Sequence, residues 1–241
     1  SADLSALRLA FVASTGVPGS LVRRLRHAGL FDHIVSGYGC TEGLIVSLSR
    51  LDEDLETTAA WSGQVLPEAE VRVVGLDGHA LASGVAGELL VRTPSTTAGY
   101  IGDPDATAAA LDNDGWFHTG DIGIVDERGY VRITDRLKDM YIVGGFNAYP
   151  AEIEAVLGEH PAVALVAVIG VPDPRLGEVG AAFVVIEDGS TLSEADLVDW
   201  SRDRMSNYKV PREVHFVETL PMTATMKVAK ADLRRLRAEA K

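Results

Sequence analysis

The chain has 241 residues, 46% of them apolar and 24% charged, a globular composition that excludes a disordered or fibrous protein. With 22 Lys and Arg against 35 Asp and Glu the net charge is −13, and such a surface repels polyanions and argues against nucleic acid as a partner. The single cysteine, Cys40, cannot close an internal disulfide, and the longest apolar run, Ala162 to Val171, falls far short of the ~20 residues of a membrane span; with no basic-then-apolar leader at Ser1, a cytoplasmic protein or a piece of one is expected.

In chain order, Leu7 to Ala13 is an apolar run suited to a buried strand. Pro18-Gly19-Ser20 then opens a helix that turns Leu21, Val22 and Leu25 inward and Arg23, Arg24 and Arg26 outward, and Gly29 ends it. A second strand begins at His33 to Val35, so strand, helix and strand predict a right-handed crossover in a parallel sheet. That strand is expected to end at Gly37 to Gly43, on the carboxyl edge where open α/β sheets place ligands. From Ala69 to Thr134 apolar and polar residues alternate between Gly and Asp-Gly pairs, which predicts a small antiparallel sheet or open barrel with a short helix over Asp105 to Leu111. A third texture starts at Lys138. Pro150 opens a helix with Ile153, Val156 and Leu157 on one face, and strands follow at Ala164 to Ile169 and Ala181 to Ile186. Ser193 caps a helix carrying Leu197, Trp200 and Met205, and a strand at Val214 to Val217 precedes a last helix with Leu233 and Leu236. The expected fold is mixed α/β: a β-rich unit with a βαβ start over 1–137, then a small α+β unit over 138–241.

Four segments carry chemistry: YGCTEG at 38–43, GWFHTGDIG at 115–123, ITDRLKDMYIVGGFNAYPAEIE at 133–154 and LPMTATMKVAKADL at 220–233. The Tyr38 ring, freed by Gly39, is either a flat surface for a heterocycle or a core aromatic. Thr41 offers a hydroxyl to a phosphate oxygen and Glu42 a hard oxygen to Mg²⁺, or the pair is a solvated turn. The Asp121 carboxylate can accept two hydrogen bonds from a sugar, or it caps an Asx turn. Arg136 is a planar fork for phosphate or ribose oxygens, or the surface partner of Asp135. Gly144 and Gly145 allow close backbone approach beside Phe146, or make a tight turn. Lys227 and Lys138 are by default solvated lysines, and Trp116 and Phe117 are core.

In this order and with these gaps, the four segments resemble the core motifs of the acyl-adenylate-forming superfamily: acyl-CoA synthetases, aryl-CoA ligases, peptide-synthetase adenylation domains and luciferases. The run DRLKDMYIVGGFNAYPAEIE at 135–154, followed by IGVPDPRLGEVGAAFVV at 169–185, is most similar to fatty-acid-type synthetases of actinobacteria. The resemblance implies that a carboxylic acid attacks the α-phosphate of ATP to give an acyl-adenylate and pyrophosphate, and that the thiol of coenzyme A then displaces AMP. It implies that 1–137 is the C-terminal part of the large AMP-binding domain and 138–241 the small mobile domain. Carried over by position, it makes Tyr38, Gly39, Thr41, Asp121 and Arg136 nucleotide-binding, with Ala13 and Ser14 as the small-residue turn against adenine. Glu42 becomes the Mg²⁺ ligand, Lys227 the adenylation lysine, Lys138 the hinge, and Gly144, Gly145 and Phe146 the lining of the CoA tunnel. The sequence departs from the family at three places, where Asp135 and Met226 replace glycines and Phe146 replaces a residue that is often polar. It also lacks the Ser/Thr/Gly-rich loop ending in Pro-Lys-Gly, so a C-terminal fragment, inactive alone, is expected. A stand-alone enzyme that loads a carrier protein and a non-catalytic nucleotide-binding module are the alternatives.

Overall fold

The computed structural model describes residues 3, 6–13, 19–29, 31–224 and 227–239. The chain divides into two units, Ser1–Leu137 and Lys138–Lys241.

The first unit begins with β1 (Leu9–Val12), α1 (Gly19–His27) and β2 (His33–Cys40), and β1 pairs with β2 in parallel as the strand-helix-strand pattern requires. Of the inward residues of α1, Val22 is fully buried, while Leu21 stays exposed. Gly29 follows the helix with φ +66°, the left-handed conformation that ends helices. The second strand ends inside the Gly37 to Gly43 run, at Cys40, but there it turns into an antiparallel partner, β3 (Leu44–Leu48). Tyr38, Gly39 and Cys40 are therefore strand residues, and the motif wraps a hairpin instead of an open parallel edge. Gly39 makes this possible, because a side chain there would put its Cβ 2.1 Å from the Leu44 carbonyl oxygen. After α2 (Leu55–Ala60), β4 (Gln64–Val65) completes a four-stranded sheet in the order β1-β2-β3-β4.

The alternating region forms an open antiparallel sheet of β5 (Glu70–Val74), β6 (Gly87–Arg92), β7 (Phe117–Val125) and β8 (Val131–Arg136), in sequence order. Between β6 and β7 lies α3 (Pro104–Ala110), which starts one residue before the expected Asp105. Asp103 accepts the Ala106 N–H at 2.9 Å and Pro104 fills the first turn, where no N–H is needed. Tyr38 and Val46 from the first sheet pack with Val73, Leu89, Val91, Phe117 and Val131 from the second. Trp116 is buried on the other face with Val74 and Leu90, as a core residue should be.

In the second unit, β9 (Tyr141–Val143) and β10 (Phe146–Ala148) form a short hairpin that the sequence pattern did not announce. Then come α4 (Pro150–Leu157), β11 (Val163–Asp173), β12 (Gly177–Ile186), α5 (Glu194–Arg202), β13 (Glu213–Phe216) and α6 (Lys230–Glu239). The sheet order is β10-β9-β12-β11, with β13 pairing β12 in parallel. Ile153 and Leu157 from α4, Leu197 from α5 and Leu233 from α6 bury against Val168, Ile169, Ala181 and Val184. Gly170 and Gly180 face each other across β11 and β12, and a Cβ on either would strike the Tyr141 side chain. Met205 falls beyond α5, which ends at Arg202. Among the described residues no helix is long and apolar enough to cross a membrane.

Besides backbone bonds such as Val65 N–H to the Gly129 carbonyl at 2.9 Å, a buried side-chain bond ties the two sheets of the first unit together. The Tyr38 hydroxyl, on β2, donates to Asp121 Oδ2, on β7, at 2.8 Å, with both residues under a tenth exposed. Burial first, and the Asp121 charge second, push the Tyr38 phenol well above the ordinary tyrosine range. Tyr38→Phe keeps the ring and strips Oδ2 of this donor, which should lower stability by about 1–3 kcal/mol in urea or guanidinium unfolding, with the slope unchanged. A phenol whose pKa rises on folding stabilises below the unfolded value of ~10 and loses that contribution as pH climbs beyond it. Unfolding curves at pH 8 and pH 11 should therefore show a steeper alkaline loss for wild type than for Tyr38→Phe.

Candidate functional site

The site grows from a defect in the second sheet. Strand β7 pairs with β6 at Glu88–Ile122 and again at Leu90–His118, so Thr119, Gly120 and Asp121 stand opposite Leu89 alone. This bulge is held by its own polar groups. The Thr119 hydroxyl donates to the Leu89 carbonyl at 2.7 Å and accepts the Asp121 N–H at 3.0 Å, while Gly120, at φ +66°, donates its N–H to Glu88 Oε1 at 3.2 Å. Bulges re-aim side chains, and here the re-aimed one is Asp121.

A second irregularity supplies its cation. The β7–β8 ladder pairs Gly123 with Ile133 but Ile122 with Asp135, which leaves Thr134 as an extra residue and sets Arg136 opposite Asp121. An unbroken ladder would have put Asp135 there, facing one carboxylate with another. Arg136 Nε donates to Asp121 Oδ1 at 2.9 Å, with the Arg136 side chain about half exposed and that of Asp121 nearly buried. Asp135, itself buried, accepts the Arg136 backbone N–H at 2.6 Å. Asp121 thus has a phenol on one oxygen and a guanidinium on the other, and the guanidinium is the partner that reaches solvent.

The β2–β3 hairpin presents the next residues. Its ladder skips Val46, and the turn at Thr41–Gly43 ends on Leu44 at φ +53°, an uncommon conformation for a leucine. Thr41 is exposed. Glu42 is half-buried and held at two points: its carbonyl accepts the Thr97 N–H at 2.7 Å, and its Oε1 accepts the Tyr100 hydroxyl at 2.9 Å. Among the described residues Oε2 has no donor, and no cluster of three or more His, Cys, Asp or Glu forms a metal site. Glu42 therefore suits a cation of the Mg²⁺ kind, which takes one or two carboxylates and fills the rest of its shell with phosphate oxygens and water. Tyr38 is a core aromatic by burial, and its hydroxyl reaches the site all the same. Ala13 follows β1 just past the last β1–β2 pair, Val12–Ser36, which brings it level with Gly37; Ser14 lies outside the described residues.

The remaining sequence candidates belong to the second unit. Gly144 and Gly145 form the two-residue loop of the β9–β10 hairpin with φ +56° and +90°, a turn that demands positive φ at both positions. Phe146, exposed, stacks on Tyr208 with ring centroids 5.0 Å apart. Lys138 is exposed within a single 3₁₀ turn, Leu137–Asp139. Lys227 closes a small loop in which its N–H meets Thr223 Oγ1 at 3.1 Å and its carbonyl accepts the Thr223 N–H at 2.7 Å. Its side chain is exposed, and no carboxylate among the described residues pairs with it; Met226 lies outside them.

The structure thus brings Tyr38, Asp121 and Arg136 into contact and places Thr41 and Glu42 on the hairpin that carries Tyr38. Three contributors went unnoticed in the sequence: Thr119, Glu88 and Tyr100. The Thr119-Gly120-Asp121 run was a fair signal for the first, since a hydroxyl two residues before an aspartate closes a local turn. Nothing local marks Glu88 or Tyr100, whose partners lie 32 and 58 residues away.

Residues 1–101 match the AMP-binding enzyme family, and residues 152–227 match the AMP-binding enzyme C-terminal domain. The chain is 49% identical over 232 residues, 96% of its length and 43% of the relative's, to a 3-[(3aS,4S,7aS)-7a-methyl-1,5-dioxo-octahydro-1H-inden-4-yl]propanoyl:CoA ligase of Rhodococcus jostii. ATP-bound MatB from Rhodopseudomonas palustris superimposes with a TM-score of 0.87 at 35% identity, over 95% of this chain and 45% of that one. The amide bond synthetase McbA from Marinactinospora thermotolerans gives 0.87 at 37% identity, over 97% and 47%. The chain spans less than half the length of each of these proteins. On its motifs, its fold and these matches, the chain belongs to the acyl-adenylate-forming superfamily of AMP-binding enzymes.

Proposed function

We propose that the chain is the C-terminal part of an AMP-forming acyl-CoA ligase, which converts a carboxylic acid, ATP and CoA to acyl-CoA, AMP and pyrophosphate through an acyl-adenylate. The observation that carries this is the buried Asp121 carboxylate, gripped by Tyr38 and by a half-exposed Arg136 from two other strands. A carboxylate fixed in this way accepts two vicinal ribose hydroxyls in charge-assisted hydrogen bonds, and the half-exposed guanidinium beside it takes a ribose or α-phosphate oxygen. Thr41 donates its hydroxyl to a phosphate oxygen. Tyr38, Gly39, Ala13 and Ser14 border the adenine. Glu42 holds the Mg²⁺, whose chemistry is to neutralise charge on the phosphate oxygens.

Lys227 carries an exposed ammonium that no carboxylate among the described residues pairs, suited to reach the α-phosphate and the acid carboxylate where negative charge develops. Lys138 is the hinge about which the 138–241 unit changes its work from adenylation to thioester formation. In the second step the Gly144–Gly145 turn, with no side chains at its apex, borders the narrow pantetheine arm, and Phe146 borders it on one side. Holding the thiol in line with the acyl-adenylate supplies up to ~7–11 kcal/mol of barrier lowering. The relative from Rhodococcus jostii makes a ring-bearing propanoic acid the first substrate to test.

The likeness to an amide bond synthetase favours a second reading, in which the acyl acceptor is an amine. Offering acid and ATP with CoA, a holo-carrier protein or an amine separates these readings, and CoA-dependent release of AMP is expected.

The 241-residue chain alone should show no pyrophosphate exchange, and turnover at the level of an intact ligase would contradict the assignment. In the full-length ligase, Lys227→Ala should cut pyrophosphate exchange by roughly 10²–10³-fold, as loss of one preorganised donor does, while thioester formation from supplied acyl-adenylate largely survives. Equal loss of both steps would refute a role confined to adenylation. Lys138→Pro should do the opposite in single-turnover assays, sparing adenylation and slowing thioester formation.

A further inference from the structure

Sixteen residues that the motifs leave out, Ser95 to Ala110, form a platform against the Glu42 turn. The platform is internally braced. Thr96 Oγ1 accepts the Thr93 N–H at 2.8 Å, Thr97 Oγ1 accepts the Gly99 N–H at 3.2 Å, and Thr107 Oγ1, one turn into α3, accepts the Tyr100 N–H at 2.9 Å. Gly99 is needed for the last of these, because a Cβ there would come within 2.6 Å of the Thr107 methyl. Three bonds then join the platform and the adjoining Thr93 to the turn: Thr93 hydroxyl to Gly43 carbonyl at 3.2 Å, Thr97 N–H to Glu42 carbonyl at 2.7 Å, and Tyr100 hydroxyl to Glu42 Oε1 at 2.9 Å. The first two fix the backbone at Gly43 and Glu42. The third alone reaches its carboxylate.

We propose that Tyr100 is a positioning residue for the Glu42 carboxylate, occupying Oε1 so that Oε2 is presented to the divalent cation that accompanies the nucleotide. This rests on the assignment of Glu42 as the cation's protein ligand. A glutamate has three side-chain torsions, and without the phenol its carboxylate is free to rotate on a fixed backbone. With the phenol in place, a rotamer is selected before the cation arrives. Hydrogen-bond partners of metal-ligating groups are worth about 10–100-fold in metal affinity by this route. The Tyr100 ring is two-fifths exposed and lies outside both cores, so removing its hydroxyl does not threaten the fold.

The test measures Mn²⁺ binding to the full-length ligase in the presence of ATP, by the loss of the free-ion electron paramagnetic resonance signal. Tyr100→Phe should weaken Mn²⁺ by about tenfold or more, while ATP binding in EDTA stays within twofold of wild type. Unchanged Mn²⁺ affinity overturns the proposal, and so does an equal loss of ATP binding in EDTA, which would mean that the hydroxyl only braces the turn. Glu42→Gln is measured alongside. If it weakens Mn²⁺ and Tyr100→Phe does not, the positioning role alone is wrong. If Glu42→Gln leaves Mn²⁺ untouched, the cation assignment fails and the proposal falls with it.

Discussion

A carboxylate only 5% exposed at the seam between two sheets is the constraint around which the first unit is organised. Burying an ionised aspartate is costly unless donors meet it, and removing one partner of such a group costs far more than its bond contributes. Asp121 obtains its donors from opposite directions: a phenol from β2, which belongs to the other sheet, and a guanidinium from the neighbouring strand β8. The first bond welds the packing of the two sheets and the second opens to solvent, so a stability feature and a binding feature share one atom group. A half-exposed arginine beside a buried aspartate leaves the pair saturated toward the core and available toward a ligand.

Charge is handled locally in the same spirit. A chain of net charge −13 is a poor electrostatic host for a nucleotide, and many of its cations are already neutralised. Arg23 pairs with Glu56, Arg92 with Glu70, Arg128 with Asp126, Lys230 with Glu154 and Arg237 with Glu213. The exposed pairs among these add little stability, but all of them leave little field for an anion to feel. Under the proposed function, an anionic substrate meets the half-exposed Arg136 and the exposed Lys227, which no carboxylate among the described residues pairs. Within the described part of α6, Lys230 and Arg237 are held by carboxylates on α4 and β13, so the basic tail is largely a structural feature of its own unit.

Periodicity made the regular parts of the fold legible: the parallel start, the alternating meander, the Pro150 helix and the long apolar strands all follow from residue spacing. What spacing hides is register. One extra residue at Thr134 leaves the alternation of its strand nearly intact, yet it decides whether Asp121 faces an arginine or an aspartate. The β2–β3 hairpin escaped for a related reason, since Leu44 to Leu48 is apolar without alternation and its turn begins inside a motif. Tyr100 is invisible locally because its partner is 58 residues away. The site roles came from the resemblance of whole motifs and not from any single side chain. Composition alone gave Tyr38 as a core aromatic, and by burial that is what it is.

The irregularities cluster, and their clustering has a physical logic. Undisturbed antiparallel ladders satisfy their backbone groups internally and alternate side chains between core and solvent, which leaves no position half in each. The Thr119–Asp121 bulge, the Thr134 insertion, the skipped Val46 and the left-handed Leu44 each break that alternation, and all lie on β2, β3, β7 or β8 at the residues that flank Asp121 and Glu42. Each break costs local hydrogen bonding or backbone strain. The buried ladders on either side, with Leu89, Val91, Phe117 and Val131 at under a twentieth exposure, are stable enough to hold the breaks in place. Rigid sheets thus hold a small set of misaligned residues whose positions are set by the ladders on either side.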